Sequence, residues 1–554
     1  MSLYPAIVRA YAAFRELQLA RIHRDPMSVQ SQTLLRLVRR AADTAWGRQF
    51  DYASIHCVAE YQRRVPIQNY ASMKPWWQRN VDGEADITWP GLPRWFAATS
   101  GTTAGDKYVP VTRALLRSHA RVSADLIALY ARRRPDRARG LFGGVFLGLG
   151  GTTTLERRGA VYVGDASGIA AGRLCWPLTR WYSPGRDIAA IVDWEERIGR
   201  IAERAARQNI TFLAGIPSWV KVLLDRVIAV AASAHSPSKG DRTWGEGRHA
   251  DPRPSRPGSA IRDPQSSPDS QCPIPNPQLL ASLWPHLTLF VHGGVFFEPY
   301  RPIFDQYFAG LNVEYLDIYS ASEASIGIQT DPCDPSLLLA LDHNVFYEFV
   351  PLEQWGRPGA PRLTVADVQT GVSYVILLTT CAGLWSYDLG DIVRFTSLRP
   401  LTLRITGRHK LFISAFGENI ISEHVEAAVA HACRLTGARV HEYTAAPRFP
   451  DGQRPLPAHE YVIEFASPPA DMDAFRRAID AKLCEQSLDY AIKRRGDLAM
   501  SCVEVTAVPE GTFYEWFKRR GRLGGQHKVP RCANHREYVD ALRAIADEVR
   551  AAPG

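Results

Sequence analysis

Paired cysteines, long apolar runs and a dominant charge of one sign are missing from this sequence. Its nine cysteines include no C-x-x-C pair and no repeated spacing. Neither a zinc ribbon nor a disulfide framework is indicated, and reduced thiols in a cytoplasmic setting are the expectation. No uninterrupted apolar stretch approaches the roughly 20 residues of a membrane-spanning helix, so no membrane partner is expected. The opening segment MSLYPAIVRAYAAFRELQLARI carries an apolar stripe, but Arg9 and Arg15 interrupt it and no small-residue cleavage site follows. It reads as an amphipathic surface helix rather than a leader.

The charge is modest. Lys and Arg number 66 against 57 Asp and Glu, a formal balance of +9. Basic residues gather in ARRRPDRAR and FKRRGRLGGQHK, yet acidic residues run through the whole chain and no nucleic-acid fold signature accompanies the clusters. A solvated basic face, or a funnel for an anionic small molecule, fits better than a nucleic-acid partner.

What is present is enough apolar material for several cores. At 554 residues and 46% apolar composition the chain is too long for one ordinary domain. WEERIGRIAERAARQN has helical spacing, ITFLAGIPSWVKVLLDRV continues as strand, turn and helix, and LTLFVHGGVFFEPYRPIFDQYF with NVEYLDIYSASEASIGIQ repeats the alternation. A buried sheet carrying helices is expected, hence an α/β fold class. Residues 235–277 are rich in proline, serine and charge, too poor in apolar side chains to offset their ordering entropy, and read as a disordered insertion. A boundary is expected at Thr406 to Lys410. It divides a large N-terminal domain of mixed sheets and helices, 1–406, from a smaller C-terminal α+β lid, 407–554, with a helix from about Ser422 and another from about Asp471 to Leu488.

Several stretches carry chemistry. In FAATSGTTAGDKYVP two strand-like runs flank a bend crowded with hydroxyls, and Thr112 stands ready to cap the helix that follows. The bend is not a Walker loop: counted from Gly101, Asp106 replaces the second glycine and Tyr108 the hydroxyl. It is a hairpin turn of ordinary residues, or a concave anion site of backbone N–H groups and hydroxyls with Lys107 adding charge. In YSASE, Tyr319 ends a strand and Ser322 and Glu323 occupy the turn beyond it, where open α/β sheets bind ligands. Glu323 is a solvated turn carboxylate or a Mg²⁺ ligand. SYDLGDIVRF sets Asp388 and Asp391 around Gly390, which is common turn chemistry or a carboxylate for ribose hydroxyls. In GGQHKVPR a glycine pair precedes Lys528, a surface lysine or one that a mobile loop delivers to an anionic centre.

TSGTTAGDKYVP, YSASE, FYEFVPL, SYDLGDIVRF, ITGRHKLFISAFGENI and GGQHKVPR, in this order, resemble the auxin-responsive Gretchen Hagen acyl-acid amido synthetase family, a branch of the adenylate-forming enzymes. FYEFVPL and GTFYEWFKRRGRLGGQHKVPR are similar to its bacterial members. The resemblance implies ATP-dependent formation of an acyl-adenylate from a carboxylic acid, then transfer of the acyl group to an amine, commonly an amino acid, with ATP and Mg²⁺ required. It further implies that Ser100, Gly101, Thr102 and Thr103 wrap the phosphates and that Tyr319 and Ser322 lie against adenosine. On the same footing Glu323 would hold Mg²⁺ and Asp391 the ribose, Arg408 would sit at the hinge and reach the ribose as an ATP-binding residue, and Lys528 would approach the reacting carboxylate and α-phosphate from the lid. Two departures stand out: Asn419 occupies the place of a lysine in plant members, and the 235–277 insertion has no counterpart. Trp219, His292, Gly293 and Gly294, with the glycine run of residues 146–154, are candidates for lining the acyl pocket, although a tryptophan such as Trp219 more often belongs to a core and glycine runs more often to turns. An acyl-CoA or carrier-protein thioester ligase would share the first step, and a nucleotide-binding module without turnover would share the motifs. The oligomeric state is not legible.

Overall fold

The computed structural model describes residues 4–99, 107–174, 178–235, 277–294, 297, 301–408, 412–418, 420–520 and 529–551. Its centre is an eleven-stranded sheet with two characters. One part runs parallel through Glu314–Ser320, Leu289–His292, Ile210–Gly215, Val145–Gly148 and Tyr182–Ser183. The other is antiparallel, in the spatial order Val345–Pro351, Ser373–Thr380, Tyr387–Leu398, Leu401–Arg408, Asp334–Leu339 and Ser325–Asp331, and joins the first at Glu314–Ser320.

The parallel part is covered on both faces, as such sheets must be. Helix Arg113–Arg133 lies on one side and buries Val122, Leu126 and Leu129 against Leu289, Val291 and Leu316. It starts where Thr112 accepts a hydrogen bond from the Leu115 N–H at 3.1 Å, as its position predicts. Helices Trp194–Ala205, Pro217–His235, Pro277–Leu283 and Arg301–Tyr307 contribute Ile198, Leu224, Leu280 and Phe304 to the core on the other side, around Phe290. The antiparallel part curls around its own core of Leu339, Tyr347, Phe349, Tyr374, Val393 and Leu403, which also receives Tyr319 from the parallel part.

A second sheet of four strands, in the order Lys107–Val111, Trp95–Thr99, Val161–Asp165 and Glu156–Arg158, packs on the N-terminal helices. Past Arg408 the described chain enters different cores. Helices Ser422–Thr436 and Met472–Gln486 and the sheet Arg439–Arg448, Ala458–Ser467, Glu504–Val508 enclose Val425, Tyr461, Ile479 and Tyr490. Both helices begin within a residue of their expected starts. The expected insertion, apart from its flanking residues, lies outside the described residues.

One sequence expectation changes. Helix Tyr4–Ile22 packs through Ala12, Leu19 and Ile22 with Arg15 among them rather than outside them: Arg15 is 1% exposed, whereas Ile7, Phe14 and Leu17 face outward. The reason is electrostatic satisfaction. Arg15 donates from Nε to Asp125 at 2.8 Å and through both terminal nitrogens to Asp342 at 2.7 Å, and the His343 ring nitrogens lie 3.0 Å from each carboxylate. A buried guanidinium needs such partners. The basic run near residue 133 is exposed, as expected of a solvated basic face, and its charges are paired. Arg132 pairs with Glu16, Arg133 with Asp331, and Arg134 with Glu314. No helix among the described residues is long and apolar enough to cross a membrane.

Candidate active site

Tyr319 and Asp391 are 72 residues apart in sequence and have three strands between them in the sheet, yet the Tyr319 hydroxyl donates to Asp391 Oδ2 at 2.6 Å. The curl of the antiparallel part closes that gap. Both side chains are nearly buried, 5% and 7% exposed. Asp391 reaches Tyr319 from a bulge: Ile392 faces Val375 and Asp388 faces Leu377, so residues 389–391 stand opposite Ile376 alone. Gly390 supplies the bulge with φ +93°, and its N–H donates to Asp388 Oδ1 at 2.8 Å. On its other side Asp391 pairs in register with Arg408, so three of the sequence candidates meet here, Arg408 by its backbone.

Directly beyond Tyr319 is the turn that bears Ser322 and Glu323. The Ala321 N–H donates to the Ala324 carbonyl at 2.9 Å, and the two ends of the turn are tied by Ser320 Oγ and Ser325 Oγ at 2.8 Å. Ser325 Oγ also lies 2.6 Å from His119 Nδ1 on helix Arg113–Arg133. Burial pushes the His119 imidazole down to about 4, so it is neutral near pH 7. Nothing in the sequence singled out His119, because its partner is 206 residues away.

The hydroxyl-rich bend joins Trp95–Thr99 to Lys107–Val111, which pair antiparallel with Thr99 opposite Lys107. Ser100, Gly101, Thr102 and Thr103 lie outside the described residues. Lys107 holds its ammonium 5.4 Å from the centre of the Tyr70 ring, a cation–π contact. Asp165 stands beside Ala98 in the parallel neighbour strand, near the end of Trp95–Thr99, with its carboxyl raised by burial. Lys528 lies outside the described residues as well. The described chain stops at Arg520, after helix Thr512–Arg519, and resumes at buried Val529, after which the Pro530 carbonyl accepts from Thr444 Oγ1 at 2.6 Å.

At the carboxyl end of Leu289–His292, His292 stacks on Phe297 with ring centres 3.8 Å apart, and its Nδ1 is 3.7 Å from Asp317 Oδ1. Burial pushes His292 down to about 3 and Asp317 up to about 7, so the imidazole is neutral and the carboxyl titrates near neutrality. Asp317 precedes Tyr319 by two residues on one strand and so shares its face. That alternation was the available signal, and the sequence reading passed over it. A Cβ on Gly293 would collide with the Ile318 carbonyl oxygen, which lets the backbone turn close to the sheet. Trp219 has different company: Trp194 at 4.3 Å, Phe416 at 4.9 Å and the Lys493 ammonium at 5.7 Å, a joint between the helices of the large sheet and the C-terminal unit.

Among the described residues no group of three or more His, Cys, Asp or Glu side chains is placed to hold a metal ion. A carboxylate in a turn, such as Glu323, suits Mg²⁺, which takes one or two protein carboxylates and completes its shell with phosphate oxygens and water.

Comparison with known proteins gives this geometry its context. Models of the GH3 family N-terminal domain, central domain and C-terminal domain match residues 15–172, 338–408 and 423–537, together more than half of the chain. The indole-3-acetic acid-amido synthetase GH3.4 of Arabidopsis thaliana is 30% identical over 46% of this chain and 46% of its own length. The match therefore spans less than half of that relative. A probable indole-3-acetic acid-amido synthetase of the same plant, GH3.1, is 24% identical over 94% of the chain and 91% of its own length. Among solved structures, the GH3.15 acyl acid amido synthetase superposes with a TM-score of 0.56 at 19% identity, covering 94% of this chain and 93% of its own. 2-Hydroxyisobutyryl-CoA ligase, in its thioesterification state, reaches 0.51 at 14% identity over 95% and 92%. These two likenesses are likenesses of fold.

Proposed function

The chain belongs to the GH3 family, and on that premise we propose that it is an ATP-dependent acyl-acid amido synthetase. The observation that carries the reading is the junction of Tyr319 with Asp391, beside the Glu323 turn and the register partner of Arg408. An aromatic ring and a buried carboxylate at the end of a parallel strand suit a nucleoside, the ring for the base and the carboxylate for ribose hydroxyls. Ser322 lies against the adenosine. Glu323 would hold Mg²⁺, which would neutralise phosphate charge, and Ser100, Gly101, Thr102, Thr103 and Lys107 would receive the phosphates. His292, Gly293 and Gly294, with Trp219 farther along, border the acid. Residues 407–554 act as a lid hinged near Arg408, and Lys528 comes from that lid to the reacting carboxylate.

A carboxylate is a poor electrophile with no usable leaving group. Its oxygen attacks the α-phosphorus of ATP, the bond to pyrophosphate breaks, and an acyl-adenylate forms. A neutral amine then attacks the acyl carbon, the bond to AMP breaks, and the amine nitrogen loses a proton. Positive charge and backbone N–H groups near the α-phosphate stabilise the charge that develops.

An acid panel that starts with indole-3-acetic acid, the acid in the relatives' names, tests the first step by acid-dependent pyrophosphate exchange. Amino acids and coenzyme A are then offered, with detection of product mass. Amide products are expected. Exchange followed by thioester alone would make the chain a thioester ligase, and nucleotide binding without exchange would make it a binding module.

A further inference from the structure

Glu348, in FYEFVPL, and Ser386, at the start of SYDLGDIVRF, are wholly buried polar side chains to which the proposed reaction gives no part. Ser386 stands at the head of the strand Tyr387–Leu398, ahead of Asp391, with φ +44°. That left-handed backbone strains a serine, whereas a glycine would take it freely. The strain is held by what the serine's atoms reach. Its Oγ donates to Glu348 Oε2 and accepts from the Arg362 guanidinium, and its N–H donates to Thr379 Oγ1 at 2.9 Å. Strain sustained by a fully bonded surrounding is a pointer to function.

Glu348 joins this turn to a second segment. Its Oε1 accepts from Arg362 Nε at 2.8 Å and from Gln62 Nε2 at 3.0 Å, while Arg362 donates to the Gln62 and Val65 carbonyls, where helix Val58–Arg64 ends. A short way beyond, the Gln68 N–H donates to the Ser386 carbonyl at 3.0 Å, and the Gln68 carbonyl accepts from the Asp388 N–H at 2.8 Å. The head of the strand is therefore gripped twice, by the Ser386 side chain and by the backbone on either side of Tyr387. Both grips lead back to the Glu348–Arg362 pair. From there the path to the nucleotide corner is short: Asp388 Oδ1 accepts from the Gly390 N–H at 2.8 Å inside the bulge, and Asp391 closes the bulge against Tyr319.

We infer that Ser386 is a positioning residue for the nucleotide: anchored on Glu348, it sets where the strand Tyr387–Leu398 begins, so that the bulge presents Asp391 to the ribose beside Tyr319. The inference rests on the function proposed above. Ser386 acts through Asp388 and Asp391 and touches no reactant itself. Reaction geometry is sensitive to such support, since a misplacement of about 1 Å costs on the order of 10²-fold.

Two substitutions separate positioning from the stability of the turn. Ser386→Gly and Ser386→Ala both remove the hydroxyl, but only alanine is strained at φ +44°. Acid-dependent pyrophosphate exchange is measured against Mg·ATP and, separately, against acid, with a melting temperature for each variant. Both variants are expected to raise the KM for Mg·ATP about 10-fold, with kcat and the KM for acid changed less than about 2-fold, although Ser386→Gly melts above Ser386→Ala. Glu348→Gln removes the charge that holds the hydroxyl and should raise the KM for Mg·ATP at least about 3-fold with the same split. An unchanged KM for Mg·ATP in Ser386→Gly overturns the positioning role, because that variant keeps the turn without strain and lacks only the tie. Equal losses against Mg·ATP and acid also overturn it, and an unchanged KM in Glu348→Gln overturns the anchoring. Absence of exchange in the wild-type chain overturns the proposed function instead.

Discussion

Gly390→Ala tests whether the bulge that aims Asp391 depends on a backbone conformation only glycine holds cheaply. At φ +93° a Cβ on Gly390 would meet nothing within 4 Å, so packing contributes no penalty. Backbone strain remains, about 1–2 kcal/mol for an L residue in the left-handed region, partly offset by about 0.4–1 kcal/mol from a less flexible unfolded chain. Gly371, at φ +80° and also with nothing within 4 Å, should lose a similar amount as Gly371→Ala but lies away from the site. Both variants should lose about 1 kcal/mol in the melting transition. They part at the nucleotide. If Gly390→Ala relieves its strain by expelling the bulge, the register shifts by the two extra residues and Asp391 moves along the sheet, away from the Tyr319 hydroxyl. The hydrogen bond from Tyr319 to its charged acceptor, worth about 1.5–3 kcal/mol, is then lost together with the carboxylate's aim at the ribose. Calorimetry with ATP should show binding at least about 10-fold weaker for Gly390→Ala and unchanged for Gly371→Ala. Equal ATP affinity in the two variants would refute the link from glycine to bulge to site.

Tyr319→Phe keeps the ring and removes only the hydroxyl, so adenylation should fall about 10-fold rather than vanish; a wild-type rate would mean that the bond to Asp391 has no part in the site. Burial pushes the His343 imidazole down, but its bonds to Asp125 and Asp342 outweigh that and raise its pKa. That stabilisation is full below the unfolded value near 6.5 and fades as pH rises through the raised one, so the gap in denaturation free energy between wild type and His343→Gln should be wider at about pH 5.5 than at about pH 8.5. A gap that is constant or grows with pH would contradict it. Glu418 accepts from the Ala415 and Phe416 N–H groups and lies beside His459 Nε2, each at 2.6 Å. Glu418→Ala strands these buried donors at about 1–3 kcal/mol each, so urea denaturation should show a loss of at least about 3 kcal/mol, and a loss below about 1 kcal/mol would count against the role.

Much of the molecule was legible in the chain because the relevant physics is local. Thr112 as a cap, the hairpin around residues 99–107 and the helix that starts at Ser422 follow from residues within a few positions of one another. The motifs that resemble the Gretchen Hagen family lead to the family whose domain models match. Arg15 shows the limit of that reasoning. A charge in an apolar stripe reads as an interruption until Asp125 and Asp342, 110 and 327 residues away, make it the anchored side of the helix.

By itself the sequence determined which segments are helix, strand and turn, and which loops bear hydroxyls, carboxylates and glycine, since capping, periodicity and turn chemistry act over a few residues. Tertiary structure alone decided that Tyr319 meets Asp391, that His119 ties the Glu323 turn, and that Asp317 titrates near neutrality. Those outcomes depend on how far a sheet curls and what is buried beneath it. A strand's alternation states which side chains face inward, and the closure of the whole sheet selects the partners they find there.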